Sequence, residues 1–509
     1  MNRWPRSITG LLVAWMVAWA LPAAGQPSTR VRMLVDFESP EAIRLSPGQA
    51  TSHLAPTANG HTLQISTQAD AHFPRVRITP AAGGSWDLSA VDSVQADVFN
   101  PQDVPVRVLM SVDGPRADGQ HDCSVSSVTV APRTRATLDA PLGIWHGESR
   151  PLDAAQVASI TVLLDRPGRG HRFYVDNIRA LPPGFRVLDE LAGNEFFQQL
   201  EPTLGRGINL SNMLEAPREG DWGPRLEEHY FEVIRAAGFD AVRIPVRWSA
   251  HAGQQPPYAI DAEFFDRVEW AVRQAQSHDL QTVLSMHHYE ELFDRPEEHR
   301  ARFLALWGQI AARFRNDPPG LCLELLNEPH GRLDAHLWNR LLAEALAVVR
   351  QTNPTRKVVI GPAEFNGIDA LPGLVLPAGD GNLIVTVHYY QPMTFTHQGA
   401  TWLGGQAQDW LGTTWLGTPR EQRAVIRDLD RALAWSVEHN LPIYLGEFGA
   451  YRKADLASRV RWTRFVADEA VKRRMSFAYW DFCAEFAAYD RHEDRWINPL
   501  KDALLPPAE

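Results

Sequence analysis

Phe239-Asp-Ala-Val-Arg-Ile-Pro-Val246 and Leu280-Gln-Thr-Val-Leu-Ser-Met286 are two short apolar runs with a helical stretch, Ala262–His278, between them. Runs of this length and composition read as strands buried on both faces. The unit recurs. Gly205–Leu210 precedes it, and the helical Leu226–Ala237 stops at Gly238, a residue suited to a helix C-terminus. Leu321–Leu326, Lys357–Ile360, Leu383–Val387, Pro442–Leu445 and Ser476–Tyr479 follow, nearly all separated by amphipathic helix. Eight strands alternating with helices imply an α/β fold with a parallel sheet, and eight units fit a closed (β/α)8, or TIM, barrel. An open doubly wound sheet usually announces itself with a Gly-rich phosphate loop after its first strand, and none follows here.

The residues before the barrel have another rhythm. His61–Ser66, Arg75–Thr79, Ser93–Asn100, Val104–Asp113, Ser126–Val130, Ser159–Asp165 and Arg172–Leu181 read as strands, with period-2 alternation in places such as Val104-Pro-Val-Arg-Val-Leu. Turn residues such as Asn59-Gly60 and Asp118-Gly119 separate them. This pattern predicts an antiparallel β-sandwich over 31–182. Leu181-Pro-Pro-Gly184 is a stiff punctuation, so the barrel is expected over 185–509.

At the start of the chain, Arg3 and Arg6 precede an apolar run from Leu11 to Leu21, and Pro22-Ala-Ala-Gly25 supplies small residues. That order describes a secretory signal peptide over 1–25, and the run is too short to span a bilayer. A secreted or periplasmic location is the expectation. The chain has 509 residues, 50 Lys and Arg against 61 Asp and Glu, and a formal net charge of −11. Removing the leader removes two arginines and no acids, giving −13. An acidic chain is poorly suited to nucleic acid or an anionic membrane. Its 17 Trp supply flat faces for neutral, ring-shaped ligands. Cys123, Cys322 and Cys483 are widely spaced and read as buried apolar residues, neither a disulfide frame nor a metal site.

Working residues of such barrels lie just past the C-terminal ends of the strands. Here those positions deliver Asn209 and Glu215, Arg243, His287-His288, Asn327-Glu328, His388 and Tyr390 with His397 and Trp402 beyond, Glu447, and Trp480. Glu328 and Glu447 follow strands four and seven and should meet across the barrel mouth. Cleaving a glycosidic bond needs two carboxyl groups flanking it, one to protonate the leaving oxygen and one to attack or to position water. Arg243 would keep Glu447 ionised, Tyr390 would donate to it, Asn327 would reach a sugar 2-hydroxyl, and Trp480 would lie under a sugar ring. A metal site built from His287, His288, Glu290, His388 and His397 is the competing reading. Neighbouring residues on a strand point to opposite faces, which separates His287 from His288, and no His-Glu-x-x-His helix is present.

Together these residues resemble glycoside hydrolase family 5, the (β/α)8 retaining β-glycanases. Its pattern of Arg, His, Asn-Glu-Pro, His-x-Tyr, Glu and Trp falls on Arg243, His287, Asn327-Glu328-Pro329, His388-Tyr389-Tyr390, Glu447 and Trp480. The resemblance implies Glu328 as acid/base and Glu447 as nucleophile, with no organic cofactor and no catalytic metal. His287-His-Tyr-Glu-Glu-Leu292, His388 to Gly399 and Gly446-Glu-Phe-Gly-Ala-Tyr-Arg-Lys453 are similar to bacterial endoglucanases that often also accept mannan. Met393 departs from that pattern, where Phe is expected. By the same resemblance Trp402, Asn209, Glu215 and His288 belong to the substrate-binding set. The implied function is a secreted retaining endo-β-1,4-glucanase acting as a monomer on β-1,4-linked polysaccharide or oligosaccharide. A mannanase, a xyloglucanase and a non-catalytic carbohydrate-binding protein are the alternatives. More loosely, the first half resembles jelly-roll carbohydrate-binding modules, through Val35-Asp-Phe-Glu38 and Tyr174-Val-Asp-Asn-Ile178. That resemblance implies a structural calcium near Asp36, Glu38 and Asp176, since calcium takes hard oxygen ligands. Trp86 and Trp145 are the only tryptophans of that half.

Overall fold

The computed structural model describes residues 31–505 apart from 58–59, 82, 119–120, 143–151, 183–187, 189–190 and 192. The leader expected over 1–25 and Trp145 lie outside the described residues. No helix among the described residues is long and apolar enough to cross a membrane.

Eleven antiparallel strands form the first half: β1 (Arg32–Val35), β2 (Ile43–Gly48), β3 (Ala50–Thr57), β4 (Gly60–Thr67), β5 (Arg75–Pro80), β6 (Ser93–Phe99), β7 (Val106–Asp113), β8 (Cys123–Val130), β9 (Arg135–Pro141), β10 (Ser159–Leu163) and β11 (Arg172–Leu181). One sheet runs β3-β4-β11-β6-β9 with β1 added on β11, and the other runs β2-β5-β10-β7-β8. Alternate residues of the two sheets interdigitate, with Leu63, Ile65, Val98, Phe173 and Val175 meeting Val76, Ile78, Val108, Met110 and Ile160 in one core. Trp86 packs partly buried against it.

The second half closes into a barrel of eight parallel strands, β12 (Arg206–Asn209), β13 (Ala241–Val246), β14 (Gln281–Met286), β15 (Leu321–Glu324), β16 (Val358–Ile360), β17 (Leu383–Tyr389), β18 (Ile443–Phe448) and β19 (Ser476–Tyr479). Helices Glu228–Ala237, Ala262–Ser277, Pro296–Arg313, Ala335–Arg350, Pro419–His439 and Leu456–Lys472 surround it. The helix expected after Leu226 ends as read from the sequence, at Gly238, which takes φ 104°. Between β16 and β17 there is only a 3-10 stretch, Ile368–Gly373.

The barrel interior explains where the chemistry sits. Leu204, Ala241, Val283, Cys322, Val359, Ile384, Tyr444 and Ala478 form a buried layer of their own, apart from the core shared with the helices. Side chains of a strand return to the same face every second residue. Two residues further along, that inward face carries Arg243, Ser285, Glu324 and Thr386 in place of apolar groups. The barrel is therefore apolar at one end of its interior and ionic towards the C-terminal ends of its strands. All three cysteines are free and buried, Cys322 within the apolar layer.

The sandwich rests on the barrel's flank. Asp92 pairs with Arg423 at 3.2 Å, Asp139 lies 3.5 Å from Arg427, and the Ala131 amide donates to Pro372 O at 3.1 Å.

Candidate active site

Glu328 follows β15 in left-handed backbone (φ 48°) and Glu447 lies on β18. They are brought together. One ligand atom each from Glu328, His388 and Glu447 lies within 4.8 Å of the other two, the only such three-ligand set among the described residues. Glu328 keeps 26 % of its side chain open to solvent, whereas Glu447 keeps 5 %. One carboxyl is thus placed to exchange protons, and the other is held dry.

Glu447 is fixed at both oxygens. Arg243 Nη1 donates to Oε1 at 2.7 Å, and the Tyr390 hydroxyl donates to Oε2 at 2.9 Å. Burial pushes its proton affinity up, while His388, Arg243 and Tyr390 pull it down. Glu328 is pushed up to about 7 by burial, against the pull of Arg243 and His330 and with help from the charge of Glu324. His388 Nδ1 lies 2.7 Å from Glu328 Oε1 and 3.6 Å from Glu447 Oε2. Burial lowers His388 to about 4, so the ring is neutral near pH 7. This neutral imidazole between the carboxyls has Asn366 Nδ2 at 3.3 Å from its Nε2.

Arg243 is wholly buried and spends every N–H. Nε and Nη2 bind the two oxygens of Glu324, each at 2.7 Å, Nη1 also reaches Asn209 Oδ1 at 3.0 Å, and Nη2 reaches Asn327 Oδ1 at 2.8 Å. Asn209 itself is fully buried, with its amide nitrogen donating to the carbonyls of Gly446, Ala478 and Tyr479. It belongs to the floor that supports the site and has no face left for substrate. Glu215 is likewise 0 % exposed and accepts from the amides of Asn212 and Met213, shaping the loop after β12. Burial raises it to about 8.

His287 stacks on Trp480 with ring centroids 5.5 Å apart, and burial lowers its pKa well below the usual imidazole value. The expectation that His287 and His288 face apart is corrected. Strand β14 ends at Met286 and His288 has φ 61°, so strand alternation no longer applies and the rings lie side by side at 4.3 Å. Glu290 approaches His288 at 3.7 Å. Trp402 is 53 % exposed, with Tyr451 edge-on at 5.1 Å and His397 beyond at 6.4 Å. Met393 is exposed in the same loop after β17. Gly449 explains the Gly that closes Gly446-Glu-Phe-Gly449, because a Cβ there would lie 1.9 Å from Trp480 O.

Sequence reading missed Glu324, Asn366, and two exposed rim aromatics, Trp222 and Phe365. Glu324 carried a signal, a lone carboxylate inside the apolar run Leu321–Leu326. Phe365 carried none, since its display depends on the left-handed backbone of Glu364, Phe365 and Asn366.

In the sandwich, Glu38 Oε1 accepts from the His61 amide at 2.7 Å and Oε2 faces His61 Nδ1 at 3.4 Å. Asp36 accepts from the Glu38 amide and Asp176 from the Asn177 amide. Asp36, Glu38 and Asp176 do not form a close three-ligand set of the kind that Glu328, His388 and Glu447 form among the described residues.

Residues 199–486 match the family model described as cellulase (glycosyl hydrolase family 5). Endoglucanase H of Acetivibrio thermocellus is 37 % identical over 310 residues, 60 % of this chain and 33 % of that protein. The chain spans about a third of the length of the first curated relatives it matches. Among solved structures, Thermotoga maritima Cel5A in complex with mannotriose is 49 % identical, with a TM-score of 0.59, covering 61 % of this chain and all of that one. Cel5A of the same organism with cellobiose gives the same identity, coverage and score.

Proposed function

Because the chain belongs to the cellulase family, glycosyl hydrolase family 5, we propose that it is a retaining endo-β-1,4-glucanase in which Glu328 is the acid/base and Glu447 the nucleophile. One observation carries the reading: one carboxylate oxygen of Glu328 lies within 4.8 Å of one of Glu447. So close an approach suits the short carboxyl separation of retaining enzymes, about 5–5.5 Å, better than the wider one of about 6.5–9.5 Å that inversion uses.

The geometry gives each step a residue. Glu328, raised to about 7 by burial, keeps its proton in a large share of molecules at neutral pH and donates it to the glycosidic oxygen. Glu447 attacks the anomeric carbon, with Arg243 and Tyr390 aiming its oxygens. Once the leaving sugar departs, Glu328 is a carboxylate and takes a proton from water as the water oxygen bonds to the anomeric carbon, which breaks the bond to Glu447 and frees the sugar. Asn327, held by Arg243, lies beside the acid to meet a sugar hydroxyl, and Trp480 offers a ring face. Internal cleavage of glucan is supported by the relatives named as endoglucanases and by the Cel5A structure with cellobiose. Export to the periplasm or medium is supported by the basic, apolar, small-residue order of 1–25.

Reducing-end release from carboxymethylcellulose, mixed-linkage glucan, xyloglucan and mannan tests the activity, with fastest turnover expected on a β-1,4-glucan. No turnover on any of them overturns the proposal. Proton NMR of the first product should show retained β configuration, and an α product would remove Glu447 from its role.

A further inference from the structure

Glu324 is a third carboxylate at the site and touches no solvent. It ends β15 four residues before Glu328, and its side chain is 0 % exposed. Buried carboxylates are costly unless paired. This one is paired in the bidentate way, Oε2 to Arg243 Nε and Oε1 to Arg243 Nη2, both at 2.7 Å. The pairing fixes the plane of the guanidinium. Only Nη1 is then left to turn towards Glu447, while the outer hydrogen of Nη2 goes to Asn327.

The charge count is as specific as the geometry. A lone guanidinium beside Glu447 would favour the ionised form of every carboxyl near it. That suits a nucleophile and works against an acid that must hold a proton. Glu324 supplies the compensating charge from the far side of the same arginine. The groups around it come from several strands: Arg243 on β13, Ser285 in register on β14, Tyr444 and Glu447 on β18, His388 on β17, and Cys322 and Glu328 along its own strand and loop. Among the described residues, Arg243 is the one cation bonded to Glu324.

We propose that Glu324 is a positioning residue that locks the Arg243 guanidinium in one orientation and offsets its charge, so that the arginine aims Glu447 without stripping the proton from Glu328. The inference rests on the roles given above to Glu328 and Glu447. The influence of Glu324 on Glu328 runs in the required direction, raising its proton affinity where Arg243 lowers it.

The test is the pH profile of kcat/KM on a cello-oligosaccharide for wild type, Glu324→Gln and Glu324→Asp, with folding checked by circular dichroism. Wild-type activity is the first readout, and its absence would count against the enzyme reading and not against Glu324. Loss of the negative charge in Glu324→Gln leaves Arg243 uncompensated, so both carboxyls ionise more readily. The acidic and basic limbs should both move to lower pH, by about one unit, with kcat at pH 7 falling roughly 10- to 100-fold. The loss should be smaller on a 2,4-dinitrophenyl cellobioside, whose leaving group needs no proton. Glu324→Asp keeps the charge and shortens the reach, so kcat should fall while the limbs stay near their wild-type positions. If Glu324→Gln loses activity with unmoved limbs and equal losses on both substrates, the residue only props the fold and the proposal fails. If Glu324→Gln does not fold, the Asp variant decides, since limbs that shift with the charge retained overturn it equally.

Discussion

Asp113 in the sandwich and the carboxylates of the barrel mouth are buried in opposite ways. In the sandwich, Asp113 is 6 % exposed and accepts from three neutral hydroxyls, those of Ser111, Ser159 and Thr161. Its side chain lies on the face of its sheet opposite the inward Met110 and Val112. In the barrel mouth, Glu215, Glu328, Glu447 and Asp481 are all held with raised proton affinity, Glu328 and Glu447 beside the buried Arg243. The first arrangement meets one carboxylate with neutral donors, and the second gathers several carboxyls whose burial holds their protons more tightly. Strain of that second kind persists where surrounding structure enforces it, and it gathers at sites that do chemistry. The barrel's apolar layer, two residues back along the same strands, supplies that enforcement.

The comparison breaks most severely at Glu447. Glu447→Gln should lower turnover by at least roughly three orders of magnitude, the scale of losing a covalent nucleophile. The amide cannot attack, yet it can still meet Arg243 and Tyr390. The thermal midpoint should stay level or rise, because a buried charge has gone. A large fall in the midpoint together with lost turnover would place Glu447 among the residues that hold the fold.

The converse experiment lies in the other half. Phe173 is 0 % exposed near the start of β11. Phe173→Ala should cost the sandwich about 3–5 kcal/mol, from lost burial and the cavity left behind. Specific activity on soluble glucan, measured well below the unfolding transition, should be unchanged. Parallel losses of stability and kcat would show that the two halves are mechanically coupled across the Asp92–Arg423 and Asp139–Arg427 contacts.

The two halves also differ in how much of them can be read from residues alone. All eight barrel strands are legible, because parallel strands covered on both faces show as continuous apolar runs. In the sandwich, β1, β2, β3 and β9 escape the sequence reading and the other seven strands do not. Strand β3, Ala50–Thr57, has no buried residue, and β2 ends on Pro47-Gly48, so neither carries a strong apolar alternation. Strand β9 turns only Ala136, Leu138 and Ala140 inward, and two alanines give little signal. At the site, reading the residues after each strand finds both glutamates, Arg243 and Tyr390. It misses Glu324, which sits within the apolar run Leu321–Leu326, because its importance comes from its bidentate contact with the buried Arg243. It places Asn209 towards substrate because sequence cannot show that three carbonyls already occupy its amide.

A pH titration sharpens the contrast by a smaller amount. Glu215, Glu328 and Asp481 have folded-state values raised to about 8, about 7 and about 6 by burial. A raised carboxyl favours the fold fully below its unfolded value, and the contribution is lost as pH rises through the folded value. Barrel stability should therefore decline between about pH 4 and pH 8. Glu215→Gln should flatten that decline and raise stability at pH 8 by about 2–3 kcal/mol, since each tenfold difference in proton affinity is worth about 1.4 kcal/mol and the Gln side chain gives back part of the gain by offering the loop amides one oxygen in place of two. Midpoints of thermal unfolding from pH 5 to 9 check it, and a variant as alkali-sensitive as wild type would return Glu215 to an ordinary ionised loop cap.

The smallest effect belongs to the most exposed of the rim aromatics on the loop after β17. Trp402 stands 53 % exposed, so removing it leaves no cavity in the core. Its neighbours Tyr451 and Phe486 would remain packed in their own buried cluster. Trp402→Ala should leave the stability within about 0.5 kcal/mol of wild type. An aromatic ring contact is worth about 0.5–1.5 kcal/mol, which corresponds to a KM on cello-oligosaccharides raised about 2- to 10-fold with kcat little changed. An unaltered KM on substrates of every length would mean that this ring touches no sugar. A fall in kcat with KM unchanged would mean that its contact is made only in the transition state, and Trp402 would then belong with Glu328 and Glu447 on the reacting side of the comparison.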